Sequence, residues 1–418
     1  MSIGLSRLAP GLRVVTEELP ALRSVAVGFW VGTGSRDEPD EVAGASHFLE
    51  HLLFKGTASR SAHDIAEAIE SVGGDMNAFT TQELTAFYVR VPDERLDLAL
   101  DILSEIVWGP ALRAEDVDAE RQVILEEIRM RDDTPDDLVH ELFGAALFPG
   151  DPLGREVLGT KESIESMTPE AIAGYHRRHY RPGNVVVAAA GNLTHDHVVE
   201  RVSAHLDGVG GERPARPDLA HLPPESLALL ERPTEQAHVV LGMRALSRHD
   251  PDRYALMVLN QVLGGGMSSR LFQEVRERRG LAYSVYSYRH SFQDAGALAV
   301  YVGTAPERMD ESLAVVEAEL ARIVAEGGVD TRELEASKGH LKGSMALSLE
   351  SSISRMHRIG SSELTLGEVP TLDDLVARIE AVEASDIARV VERVLAGPDR
   401  TLAVVGPFEE SHFTQRVA

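Results

Sequence analysis

His47, Glu50 and His51 are the residues whose types and spacing come closest to a reactive centre. On a helix each residue turns about 100°, so His47 and His51 lie about 40° apart on one face. Two imidazoles so placed can both bind one Zn²⁺. Glu50 falls about 60° to the other side of His47, close enough to act on a water held by the ion. The order H-x-x-E-H is the inverted zinc motif. Two histidines need a further ligand, and the segment ERQVILEE (120–127) offers candidates. Glu120 and Glu127 are seven apart, about 20° off register, and share a helix face, whereas Glu126 points about 120° away from Glu120. Val123, Ile124 and Leu125 make this helix partly buried, and a buried carboxylate needs a positive partner. A metal is such a partner.

The elements that must hold these residues read as alternating strands and helices. Ala43 to Phe54 and Ala114 to Arg131 have helical spacing, as do Ala62 to Val72 and Leu96 to Val107. Arg23 to Val31 and Pro182 to Gly191 read as strands, and Asn77 to Val91 as a hairpin or a long bent strand. The stretch from Asp207 to Glu225 is rich in Gly and Pro, with no apolar period, and reads as a linker. Beyond it the order recurs. Strands are expected at 237–243, 283–290 and 295–304, and helices at 252–263, 268–278 and 309–326. The expectation is an α+β protein of two similar domains, 1–212 and 226–418, joined by 213–225. Each would be a mixed β-sheet covered by helices.

Composition narrows the function. The chain has 418 residues and a formal net charge of −26, which disfavours nucleic acid and anionic membrane surfaces as partners. It has no cysteine, which removes disulfide scaffolds, thiol catalysis and cysteine-ligated metals. No apolar run is long enough to span a bilayer, and no secretory signal is evident, so a cytoplasmic location is expected. Gly264-Gly265-Gly266 lacks the G-K-[ST] of a phosphate-binding loop and reads as a turn. His176 and His179 read as a cationic helix end. His195 and His197 fall about 200° apart on a helix, poor geometry for one metal. The acidic run Asp132 to Asp137 reads as a solvated face or a cap.

The segments GASHFLEHLLFKGT (44–57), GGDMNAFTTQELTAFY (73–88), ERQVILEEI (120–128), YRPGNVVVAAAGN (180–192) and GGGMSSRLFQEVRERRGLAYSVYS (264–287) resemble the pitrilysin/insulinase family of zinc peptidases. The likeness is to its small branch, similar to the mitochondrial processing peptidases. It implies a zinc endopeptidase with one Zn²⁺ per chain, held by His47, His51 and Glu127. Glu50 would be the general base and Glu120 a supporting acidic residue. Asn77, Ala78 and Phe79 would belong to an edge strand that takes an extended peptide. Tyr283 would stabilise the oxyanion and Arg276 would hold substrate carbonyls. Read without the resemblance, that pair is a helix-ending arginine and a core tyrosine. The resemblance also implies a second domain without zinc, each chain forming half of a clamshell, and a homodimer enclosing a chamber. The acidic balance would favour basic, unfolded peptides as substrates. Two other readings remain: a catalytically silent core subunit, and an active subunit that needs a different chain.

Overall fold

A computed structural model of the chain describes residues 3–9, 11–216 and 222–413. Their strands are β1 (Ile3–Arg7), β2 (Arg13–Glu18), β3 (Ser24–Val31), β4 (Asp75–Thr80), β5 (Thr85–Pro92), β6 (Val185–Gly191), β7 (Leu227–Glu231), β8 (Ala237–Arg244), β9 (Ala282–Ser291), β10 (Gly296–Thr304) and β11 (Thr401–Gly406). They form two mixed sheets, ordered β1-β2-β6-β3-β5-β4 and β7-β11-β8-β10-β9. In each, one pair is parallel, β2 with β6 and β7 with β11; the remaining neighbours are antiparallel. Leaving β1 aside, both sheets run first, last, second, fourth and third strand of their set. The repeat expected from the sequence is therefore a repeat of topology.

β6 shows why the sheets need helices on both faces. Its sequence VVVAAAG is buried throughout. Val185, Val187 and Ala189 join the core under the helices Ala45–Leu53 and Leu96–Trp108. Val186, Ala188 and Ala190 join a second core with Trp30, Met356, Ile359 and Leu364. The second face is covered by the helix Ser352–Leu366, which buries Met356, Ile359, Gly360 and Leu364 at helical spacing. A Cβ at Gly360 would collide with the Trp30 indole, so this glycine permits the close approach. The sheet of β7–β11 is covered in the same way by Pro135–Leu147, which packs on β11 and β8 and buries Val139, Phe143, Ala146 and Leu147. Thr134 precedes that helix without a side-chain cap bond, Pro135 opens it, and Asp136 and Asp137 lie in its first turn, where the helix dipole favours negative charge.

These covering helices change the domain picture. One compact unit comprises Met1–Arg129, Arg155–Leu219 and Ser348–Val369; the other comprises Met130–Gly154, Ala220–Leu347 and Pro370–Ala418. The division at 213–225 expected from the sequence is contiguous, whereas the packing division takes one helix for each sheet from the other half of the chain. Part of the expected linker is anchored in the first unit. Arg216 donates two 2.7 Å hydrogen bonds to Asp37 and two of 3.2 Å to Glu83, one to its carboxylate and one to its carbonyl; the Glu83 carboxylate also pairs with Arg36. The linker positions 217–221 lie outside the described residues. Among the described residues, no helix is long and apolar enough to cross a membrane.

Candidate metal centre

The helix Ala45–Leu53 turns Ala45, Phe48, Leu49, Leu52 and Leu53 into the core and leaves His47, Glu50 and His51 on its half-buried side. Its entry is built without a side-chain cap. Gly44 sits at φ +91°, a left-handed backbone that favours glycine. The buried Glu38 carboxylate instead accepts the N–H groups of Gly44 and Ser46, both at 2.7 Å. Burial raises the Glu38 carboxyl to about 7, against the opposing pull of the Ser46 and Gly44 hydrogen bonds. The folded chain therefore holds a proton that the unfolded chain has released above about pH 4.3. Relative to Glu38→Gln, the wild type is expected to lose up to about 3 kcal/mol of stability as pH rises from about 4.5 to 7, and no more above that. Denaturant unfolding of both metal-free proteins across that range measures the difference; parallel curves would contradict it.

The helix Ala114–Asp132 brings Glu120 and Glu127 to the same place. Glu127 Oε2 lies 3.8 Å from His47 Nε2 and 3.7 Å from His51 Nε2. The three ligand atoms lie within 4.8 Å of one another. Ligands at about 2.0–2.2 Å around a tetrahedral zinc are roughly 3.4 Å apart, so small side-chain movements suffice to close the set on an ion. The donor set also suits a cation electrostatically. Burial, with His51 close by, lowers His47 to about 3, so its imidazole is neutral at pH 7. Glu120 Oε2 lies 3.0 Å from His51 Nδ1 and draws the ring proton there, which leaves the Nε2 lone pair facing Glu127. Glu120 is itself held by Lys55 Nζ at 2.5 Å. Glu127 Oε2 is buried with no hydrogen-bond donor among the described residues, although a buried carboxylate oxygen needs a cation or donors. Two lone pairs and an orphaned anionic oxygen around one point fit a divalent ion.

Glu50 stands beside this set. The Thr80 hydroxyl donates to its Oε2 at 2.6 Å. Burial raises its carboxyl above the usual range, while the Thr80 bond and His51 oppose the rise. A proton-accepting carboxylate gains basicity from such burial.

Asn77, Ala78 and Phe79 lie on β4, the outer strand of its sheet, paired among the described residues only with β5. Ala78 and Thr80 share the face of the Ala45–Leu53 helix. Phe79 faces the opposite way and stacks on His357 beside Trp30 and Tyr88. Its side chain is thus part of the packing under the Ser352–Leu366 helix.

Arg276 and Tyr283 meet in the second unit. Arg276 is in a π-helical segment, Phe272–Glu277, and Tyr283 is the second residue of β9. The guanidinium lies 4.4 Å over the Tyr283 ring and donates to its carbonyl at 3.0 Å. Tyr283 is 80% exposed, which excludes the core-tyrosine reading.

Two further histidine pairs singled out in the sequence are structural, with one correction. His176 and His179 are buried, His176 bonded to the Val107 carbonyl at 2.9 Å and His179 to the Thr33 hydroxyl at 3.2 Å. Burial lowers both to about 4, so desolvation outweighs the helix dipole and this helix end is not cationic through them. His195 bonds Ser6 and Thr16, and His197 bonds Asp97. Sequence reasoning missed Thr80, Lys55 and Glu38. A signal existed for two of them: Thr80 has the strand parity of Ala78, and Lys55 follows His51 by four residues.

The comparisons with known proteins place these units. Residues 13–161 match the family model described as Insulinase (Peptidase family M16), and residues 166–341 match one described as Peptidase M16 inactive domain. The His47–His51–Glu127 set lies within the first match. A protein of Streptomyces coelicolor named an uncharacterized zinc protease is 48% identical over 411 residues, covering 96% of this chain and 89% of that one. Another so named, from Bacillus subtilis, is 41% identical over 399 residues, covering 95% and 96%. Among solved structures, a Pseudomonas fluorescens chain titled peptidase M16 inactive domain superposes with TM-score 0.90 at 24% identity, covering 98% and 99%. A chain of complex III2 from Candida albicans does so with TM-score 0.86 at 21% identity, covering 100% and 99%. At these identities the structural likeness shows the fold alone.

Proposed function

We propose that this chain, which belongs to the insulinase (M16) family of peptidases, is a zinc-dependent endopeptidase acting on short or unfolded peptides. The observation that carries the reading is the donorless Glu127 Oε2 between two imidazole Nε2 atoms. His47, His51 and Glu127 hold one Zn²⁺ per chain. When bound, the ion lowers the pKa of a water towards about 7 and polarises a carbonyl. Glu50 takes the proton of the attacking water and returns it to the departing amine. Glu120, steadied by Lys55, keeps His51 in the tautomer that offers Nε2. Asn77, Ala78 and Phe79 supply the strand edge along which an extended peptide adds by backbone hydrogen bonds. In this reading Tyr283 stabilises the oxyanion and Arg276 holds substrate carbonyls, as the family resemblance implies.

The rest of the proposal is a cytoplasmic homodimer enclosing a chamber that favours basic, unfolded peptides and excludes folded proteins. A fluorogenic peptide assay on the purified protein tests the reading. Hydrolysis that stops on chelation and returns with zinc supports it. A matched basic peptide is expected to be cut faster than an acidic one, the gap narrowing with salt. Zinc-loaded protein without hydrolysis would favour a different partner chain. Protein that neither binds zinc nor hydrolyses peptide would favour the silent core subunit.

A further inference from the structure

We infer that Thr80 is a positioning residue for Glu50, tying the outer edge strand to the orientation of the proton acceptor; this rests on the peptidase reading above. Thr80 is the last residue of β4. Its hydroxyl carries one proton and has two oxygen neighbours, Glu50 Oε2 at 2.6 Å and Thr85 Oγ1 at 3.4 Å. The Thr85 hydroxyl gives its own proton to the Thr33 carbonyl at 2.9 Å. The Thr80 proton therefore goes to the nearer, charged acceptor, since charge-assisted bonds are the shorter and stronger ones. That bond fixes one carboxylate oxygen and leaves Oε1 as the atom that takes a proton.

The strand supplies the leverage. Among the described residues β4 is hydrogen-bonded to β5 on one side only, with Thr80 opposite Thr85 at the end of the ladder. Asn77, Ala78 and Phe79 immediately precede it on the same strand. A peptide adding along that edge would order the backbone that ends at Thr80, and through the hydroxyl would order Glu50. Substrate docking and base orientation are then coupled through one side chain. The valine isostere keeps the shape of Thr80 and removes the hydroxyl; serine keeps the hydroxyl and removes a methyl group.

The test compares wild type, Thr80→Val and Thr80→Ser, each zinc-loaded and checked for an unchanged melting temperature. For Thr80→Val, kcat on a fluorogenic peptide is expected to fall about tenfold or more, with KM within about twofold, since hydrogen bonds to charged groups carry effects of this size. Thr80→Ser is expected to recover kcat to within about threefold of wild type. Crystal structures of wild type and Thr80→Val give a second readout that does not need turnover: Glu50 in one rotamer in the former and in several in the latter. Unchanged kcat in Thr80→Val, an equal loss in Thr80→Ser, or the same single Glu50 rotamer in both crystals would overturn the inference. A wild type that hydrolyses no peptide would count against the peptidase reading, and the crystallographic comparison would then decide the role of Thr80 alone.

Discussion

Glu50→Gln is expected to leave one zinc per chain and to lower kcat by about a thousandfold, the middle to upper range for losing a general base. The change is nearly isosteric, so Thr80 can still donate to the amide oxygen that replaces Oε2, and the core under Phe48, Leu49, Leu52 and Leu53 is untouched. What disappears is the oxygen that can accept a proton. Glu50 is suited to that task by its position. It sits beside the His47–His51–Glu127 set without belonging to it, and burial raises its affinity for a proton. Metal content by mass spectrometry and initial rates on one peptide provide the check. Full zinc with a rate within a few-fold of wild type would remove Glu50 from the chemistry.

Substitutions in the Ala114–Asp132 helix are expected to separate a ligand from its support. Glu120→Gln keeps a hydrogen-bonding group beside His51 Nδ1 but removes the negative charge, and zinc affinity is expected to fall about 10–100-fold, the usual cost of losing an outer partner. Glu127→Ala removes a donor atom itself and is expected to cost more than about a hundredfold. Competition with a zinc-binding dye ranks the two. The contrary result is a Glu127→Ala protein that holds zinc as tightly as Glu120→Gln.

Short-range periodicity made most of the site legible. The H-x-x-E-H spacing and the seven-residue separation of Glu120 and Glu127 fix shared helix faces whatever the tertiary structure, and the structure brings both faces together. β6 was legible because a run of small and β-branched apolar residues has few other places to go. Long-range choices were not legible. Nothing in the periodicity of Ser352–Leu366 says that it covers β2, β3 and β6, more than 150 residues earlier in the chain. The same holds for Pro135–Leu147 on β8 and β11. His176 and His179 illustrate the limit at single residues. Their place at the end of a helix could be read locally, but the burial that keeps them neutral, and the Val107 and Thr33 partners that bond them, come from other elements. Glu38 is similar: the sequence places it six residues before Gly44, and only the folded turn shows it capping the Ala45–Leu53 helix.

Anomalous diffraction at the zinc edge, from crystals of the full chain grown with zinc, tests the central claim most directly. The expected result is one strong peak per chain, about 2.0–2.2 Å from His47 Nε2, His51 Nε2 and Glu127 Oε2, and no peak there in Glu127→Ala crystals. Zinc bound elsewhere on the chain, with the space between these three atoms free of anomalous density, would contradict it.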